Sequence, residues 1–193
     1  MSATIESTVA RDTQTWAIDA SHSNIEFAVK HLMISNVKGR FPDVTGSLRG
    51  DVANPSDFEL DVSMDVASID TRQAQRDAHL RSPDFFDADK WPTIRFIGKR
   101  VEGHSGDRFK LVGDLTIRDV TRELTLDVAS EGAVRDPWGN SRIGFSAQGK
   151  LDRRDFGLVW NQVLEAGGLT VGDEVKISVD VQFTAVAEDS ETV

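Results

Sequence analysis

The stretch FELDVSMDV (residues 58–66) puts an apolar side chain at every second position. Phe58, Leu60, Val62, Met64 and Val66 alternate with Glu59, Asp61, Ser63 and Asp65. Neighbouring side chains of a strand point to opposite faces, so this segment is a strand with one oily face and one wet face. The same period runs outward in both directions. It is carried by Ile25, Phe27 and Val29, by Ile94 and Phe96, and by Phe109, Leu111, Leu115 and Ile117. It continues through Leu124, Leu126 and Val128, through Ile143, Phe145, Ala147 and Leu151, and closes on Val175, Ile177, Val179, Val181 and Phe183. A single layer of such strands must bury its apolar face, and a sheet closed on itself does so most economically. The fold class is therefore all-β, a barrel with an apolar inside. Alternation alone leaves open whether that inside is a packed core or a container.

The 193 residues fit one domain. A net charge of −10 argues against nucleic acid and anionic membrane surfaces as partners, since both select basic patches. No apolar run reaches the length of an integral membrane segment. The N-terminal stretch is polar, without the apolar region of a secretory signal, and there is no cysteine. With Met1 taken as the start, the expectation is a cytoplasmic protein. Residues 1–14 and 188–193 read as flexible tails around a domain over 15–187.

Strands are expected near 16–19, 23–31, 40–51, 58–67, 93–103, 107–117, 121–135, 141–152 and 171–186, joined by turn residues such as Gly103 to Asp107 and Asp136 to Asn140. One segment breaks the period of two. TRQAQRDAHLR (residues 71–81) suits a short helix capped by Asp70 or Thr71, and Pro83 restarts a second turn before Phe85, Phe86 and Trp91. This insertion, about 71–90, either lies across the barrel mouth or plugs one end to hide core.

Five blocks in order resemble the YceI-like family of polyisoprenoid-binding, lipocalin-like proteins. They are WAIDASHSNIEFAVKHLMISNVKGRF (16–41), IDTRQAQRDAHLRSPDFFDADKWPTIRF (69–96), LTIRDVTRELTLDV (115–128), DPWGNSRIGFSAQGKLDRRDFGLVWN (136–161) and VGDEVKISVDV (171–181). The resemblance covers nearly all of residues 16–186. It implies a single eight-stranded antiparallel, lipocalin-like barrel and a long-chain isoprenoid lipid, polyprenyl or quinone-type, held in the lumen. Many family members carry a secretory signal, which this sequence lacks. The implied function is non-catalytic binding, carriage or storage of that lipid, with no cofactor beyond the lipid as ligand.

An eight-stranded barrel is just wide enough to be filled by side chains or to hold one slim ligand. Burying a prenyl chain yields about 0.8 kcal/mol per CH₂-sized group. The inward set that would touch it is Phe27, Val29, Phe41, Leu60, Met64, Phe96, Leu111, Ile117, Phe145, Ile177 and Val179, together with Phe156 and Trp160. Seven of the ten phenylalanines fall on the inward phase, bulk that could also pack the barrel solid.

A polar lipid head needs partners at the mouth. The candidates are His31 at the end of its strand, His79 on the insertion near Asp77 and Arg76, and Arg154. Their alternative role is to order loops, with Arg154 and Asp155 as an ion pair. No catalytic residue is assigned. Ser23 follows His22 on opposite faces, and no G-x-S-x-G, C-x-x-C or H-E-x-x-H occurs. The four histidines lack metal-ligand spacing. Ala166 to Gly168 lacks a P-loop lysine and reads as a turn. Two rivals remain: an enzyme acting on an amphiphilic isoprenoid substrate through His31, Asp77 or His79, and a protein-interaction module with a packed barrel. A homodimer through barrel mouths or outer strands is compatible with the lipid-binding reading as well.

Overall fold

The computed structural model describes residues 14–52, 54–163 and 170–187. The tails at 1–13 and 188–193 and the Ala166 to Gly168 turn lie outside the described residues. Gln14, grouped above with the tail, already belongs to the first strand. Among the described residues there are ten strand segments: β1 (Gln14–Ile18), β2 (Asn24–His31), β3 (Ser35–Arg40), β4 (Val44–Gly50), β5 (Glu59–Asp65), β6 (Thr93–Ser105), β7 (Arg108–Ile117), β8 (Val120–Arg135), β9 (Ser141–Asp152) and β10 (Val171–Ala185). They form one antiparallel sheet in the order β1-β4-β5-β6-β7-β8-β9-β10-β2-β3. β10 pairs with β9 along one edge and with both β2 and β1 along the other. β1 pairs with β4, and β2 with β3. Thus β1 and β2 are one course broken by a 3₁₀ turn at Ala20–His22, and β3 and β4 are a second course broken at Phe41 to Asp43. Ten segments make eight courses, and the β1–β10 pairing closes the barrel.

The strand expected at 40–51 is therefore the second half of a longer course, and β3 with its turn escaped the sequence reading. Leu32 and Met33 both adopt positive φ, 50° and 60°, and the Ile34 N–H donates to the His31 carbonyl at 3.2 Å. Two successive left-handed residues in a β-turn normally select Asn and Gly, so the three-residue Leu32-Met33-Ile34 connection between paired His31 and Ser35 carries no sequence signal.

The wall repeats the alternation of the sequence. Val62 and Met64, Ile94 and Phe96, Leu124, Leu126 and Val128, and Ile143, Phe145 and Ala147 are buried inside. Gly113 keeps the wall thin where it matters. A Cβ there would sit 2.4 Å from the Phe96 ring and 2.5 Å from the Ile97 carbonyl. One end of the barrel is filled by rings. Phe145 meets Phe58, Phe109 and Phe183 at centroid distances of 5.9, 6.4 and 6.3 Å, edge to face, with Trp16 and Leu48 buried in the same core.

At the other end the chain leaves β5 through a 3₁₀ turn (Val66–Ser68) and forms helix α1 (Ala74–Arg81). The cap is Gln73, whose side-chain oxygen accepts the Arg76 N–H, and neither Asp70 nor Thr71 serves. Arg72 at φ 61° separates Thr71 from the helix. Asp70 instead accepts from Arg40 and from the Arg72 N–H, while buried Thr71 donates its N–H (2.9 Å) and hydroxyl (2.5 Å) to buried Asp77. Arg81 donates to the Ala67 and Ile69 carbonyls. The insertion is thereby stitched to the barrel rim with Leu80, Phe85 and Phe86 facing inward. No helix among the described residues is long and apolar enough to cross a membrane.

Candidate functional site

Between the aromatic floor and the helical cover lies a cavity of about 240 Å³. Its lining is apolar except for Glu26 and Arg153. It runs from Phe58, Phe109 and Phe183 at the floor to Leu80, Phe85, Phe86, Leu158 and Val171 beneath the cover. Ile94, Phe96, Leu111, Leu115, Leu124, Leu126, Val128, Phe145 and Ala147 on β6 to β9 are buried, whereas Phe27 and Val29 on β2 and Val175, Ile177 and Val179 on β10 are only half-buried. The empty space therefore lies against the β2–β10 wall. The barrel is not packed solid. Its bulk is concentrated in the floor, which is how so many phenylalanines and a cavity coexist.

Of the lumen residues named from the sequence, all but Phe156 and Trp160 line this cavity. Both exceptions follow the end of β9, where the period of two no longer holds. Phe156 ends a 3₁₀ turn (Arg153–Phe156) and is buried in the core without reaching the cavity. Trp160 packs over the cover, with its ring 5.3 Å from Phe85 and 4.8 Å from His79.

The polar candidates part company. Among the head-group residues, none of His31, His79 and Arg154 lines the cavity. His31 ends β2 beside Ser35 and Val171. His79 stands edge-on between Phe85 and Trp160, and its Nε2 lies 2.8 Å from Asp84 Oδ2, so it fastens the cover to the loop after β9. Arg154 is exposed. It pairs with Asp152 at 2.5 Å and Asp173 at 3.3 Å, not with Asp155, and its hydrogen bonds hold the Asp152 carboxyl at about 2.

Among the described residues, the cationic one that does reach the cavity is Arg153, 4% exposed. It donates to the carbonyls of Gly172 (2.9 Å), Leu158 (2.5 Å), Trp160 (2.8 Å) and Val171 (3.4 Å) and to Asp173. Burial pulls its guanidinium below the ordinary value, and the Asp173 charge opposes this. Sequence reading missed it because adjacent arginines look alike until the 3₁₀ turn aims one inward.

Asp77, named for the rival enzyme reading, and the His22–Ser23 pair, set aside in the sequence, are engaged elsewhere. Asp77 accepts the Thr71 bonds. His22 lies on the outside of the barrel, with Nδ1 at 2.8 Å from Asp19 and 3.0 Å from Ser21 Oγ. A nucleophile and an orienting acid on the same ring nitrogen is not the arrangement of a general-base couple, which needs one on each. Ser23 donates toward the Gln182 carbonyl. Among the described residues no cluster of His, Asp and Glu could hold a metal ion.

Fold and cavity together define a closed antiparallel barrel with an apolar lumen, floored by aromatics and covered by a helical insertion. The YceI-like domain matches residues 16–183, and the chain belongs to that family. A UPF0312 protein of Staphylococcus aureus is 36% identical over 170 residues, 88% of this chain and 96% of its own length. The crystal structure of the Campylobacter jejuni YCEI protein superposes with a TM-score of 0.69 at 34% identity, covering 82% of this chain and 90% of that one. A Saccharophagus degradans domain described as polyisoprenoid-binding and implicated in plant cell wall breakdown shares the fold, with a TM-score of 0.65 at 14% identity over 90% of this chain and 99% of its own.

Proposed function

We propose that this protein binds a long-chain isoprenoid lipid of polyprenyl or quinone type non-covalently, with its tail in the lumen, and carries or stores it. The observation that carries this reading is the cavity of about 240 Å³ with an almost wholly apolar lining inside a closed barrel. A cavity of roughly 150 Å³ lined by aliphatic and aromatic side chains holds benzene, so by proportion this one holds about ten carbons, or two isoprene units. A longer chain extends past the cover, or enters as Phe27, Phe41 and Phe86 turn aside. These rings stand 5.7 Å (Phe27–Phe41) and 5.9 Å (Phe41–Phe86) apart and form the upper wall. The description of the Saccharophagus degradans domain as polyisoprenoid-binding supports the choice of ligand.

Burying two isoprene units yields on the order of 8 kcal/mol before the entropy of ordering is deducted, enough for useful affinity without any catalytic group. Solvent extraction of the purified protein followed by mass spectrometry is the test. A stoichiometric prenyl lipid is expected. Empty extracts, together with no uptake of added farnesol or a longer polyprenol, refute the reading.

A further inference from the structure

At the covered end, four large apolar side chains among the described residues stand in water. Met33 is 63% exposed, Ile34 83%, Val159 67% and Val163 74%. They come from two segments tied to each other. The Leu32 N–H donates to the Thr170 carbonyl at 2.8 Å, the Thr170 N–H to the Gln162 carbonyl at 3.0 Å, and Asn161 donates to the Val171 carbonyl. Both tips are held firmly. The Leu32-Met33 turn sets the first, and Arg153 grips the second through the carbonyls of Leu158 and Trp160. Positive φ at two successive non-glycine residues costs roughly 1–2 kcal/mol each, so the hairpin maintains this presentation against a local penalty.

Charge singles out the same rim. The chain as a whole carries −10, yet the two tips, residues 30–41 and 156–163, contain no carboxylate, and the ionisable groups in them are Lys30, His31, Lys38 and Arg40, the last paired with Asp70; Asp84, Asp155 and Asp173 stand at the same end outside the tips. The rim is continuous with the lumen. Leu158, next to Val159, and Val171, paired with His31, both line the cavity, as does Phe85 under Trp160.

We propose that Met33, Ile34, Val159 and Val163 form a docking surface for a phospholipid bilayer, inserted among the head groups so that the covered end of the lumen faces the lipid. This rests on the lipid-binding reading above, because a prenyl chain insoluble in water resides in bilayers and the rim surrounds the end through which it must pass. A few apolar side chains presented without carboxylates are what interfacial binding requires, and the surface is too poor in cations to depend on anionic lipid. Binding is therefore to zwitterionic membrane and is insensitive to salt.

Flotation of the full chain with phosphatidylcholine vesicles tests it. Wild type floats equally at low and high salt. Ile34→Asp and Val159→Asp each lower the partition coefficient at least about tenfold, since each removes one apolar anchor and adds a charge. Trp138→Ala, which removes the 82% exposed ring in the β8–β9 turn at the opposite end, leaves it unchanged. Farnesol uptake by the two aspartate variants equals that of wild type, which shows that fold and lumen are intact. Failure of wild type to float, equal flotation of the aspartate variants, or a self-associated species that Ile34→Asp dissolves without any vesicle binding overturns the proposal. Flotation that responds to Ile34→Asp in a protein that takes up no farnesol keeps the docking surface and refutes the lumen reading instead.

Discussion

Val179 stands at the centre of the β10 wall, paired with Ala147 and Ile25, half-buried and lining the cavity. Val179→Phe places a ring in the space assigned to ligand. The ring replaces an isopropyl group already in place, so the net gain of four carbons claims about 100 of the 240 Å³, or roughly 40%. Two isoprene units bury about ten CH₂-sized groups at about 0.8 kcal/mol each, so blocking that fraction removes about 3 kcal/mol of transfer free energy. Halving the figure for ordering entropy leaves about 1.6 kcal/mol, close to fifteenfold in Kd. The fold is expected to tolerate the change, because the ring enters a void and meets little of the 1–3 kcal/mol overpacking penalty. Displacement of a fluorescent prenyl probe by farnesol measures Kd, and thermal melting reports stability. A variant with unchanged Tm that binds as tightly as wild type would show that the ligand is not in this lumen.

Three further outcomes are expected. Gly39→Ala sets a Cβ 2.3 Å from the Phe27 ring and 2.8 Å from Thr71 Cγ2, which lowers stability by about 1–3 kcal/mol in a denaturant titration. Phe27→Leu in the same chain recovers part of the loss, and no recovery would mean that the ring is not the obstacle. Arg153→Met strips the bonds from the Leu158, Trp160 and Gly172 carbonyls and is expected to destabilise by about 2–4 kcal/mol, whereas exposed Arg154→Ala changes stability by less than about 1 kcal/mol; equal effects would refute the assignment. The Asp19 and Asp136 carboxyls are held well below 3.8, Asp19 first by Ser21 and then by Arg142, Asp136 first by Arg142. A depressed folded-state pKa gives stability that is complete above the unfolded value and is lost as pH falls toward the folded one. Tm is therefore flat down to about pH 5 and falls below about pH 4, and Arg142→Gln shallows that acid limb; an identical limb in the variant would contradict the network.

The alternation in FELDVSMDV and its companions was enough to derive the barrel wall and the inward set, because a period of two has only one reading once a face must be buried. It stopped being informative wherever the strand period stopped. Phe156 and Trp160 lie past Asp152, where a 3₁₀ turn resets the phase, and so the inward assignment failed there. The β2–β3 turn was invisible because Leu32 and Met33 adopt a conformation that their side chains disfavour. Arg153 and Arg154 differ only through partners about five to twenty residues away, which no local pattern encodes. Whether the lumen was open depended on where the phenylalanines gather. Phe58, Phe109, Phe145 and Phe183 share one phase but come together only through register between distant strands.

Closure by β1 and β10 joins Trp16 to Ala185, and β10 is shared by β9, β2 and β1. On a ribosome the apolar phase of every earlier strand is complete before its last partner is made. Pairings of such sequence separation place folding in the millisecond-to-second range, slower than local helix formation. Until β10 docks, β9 and β2 both present open edges, the configuration that invites intermolecular pairing. The strand that supplies half of the open lumen wall is thus also the one whose arrival ends the chain's exposure to aggregation, and substitutions in it are expected to lower soluble yield before they lower the stability of the finished barrel.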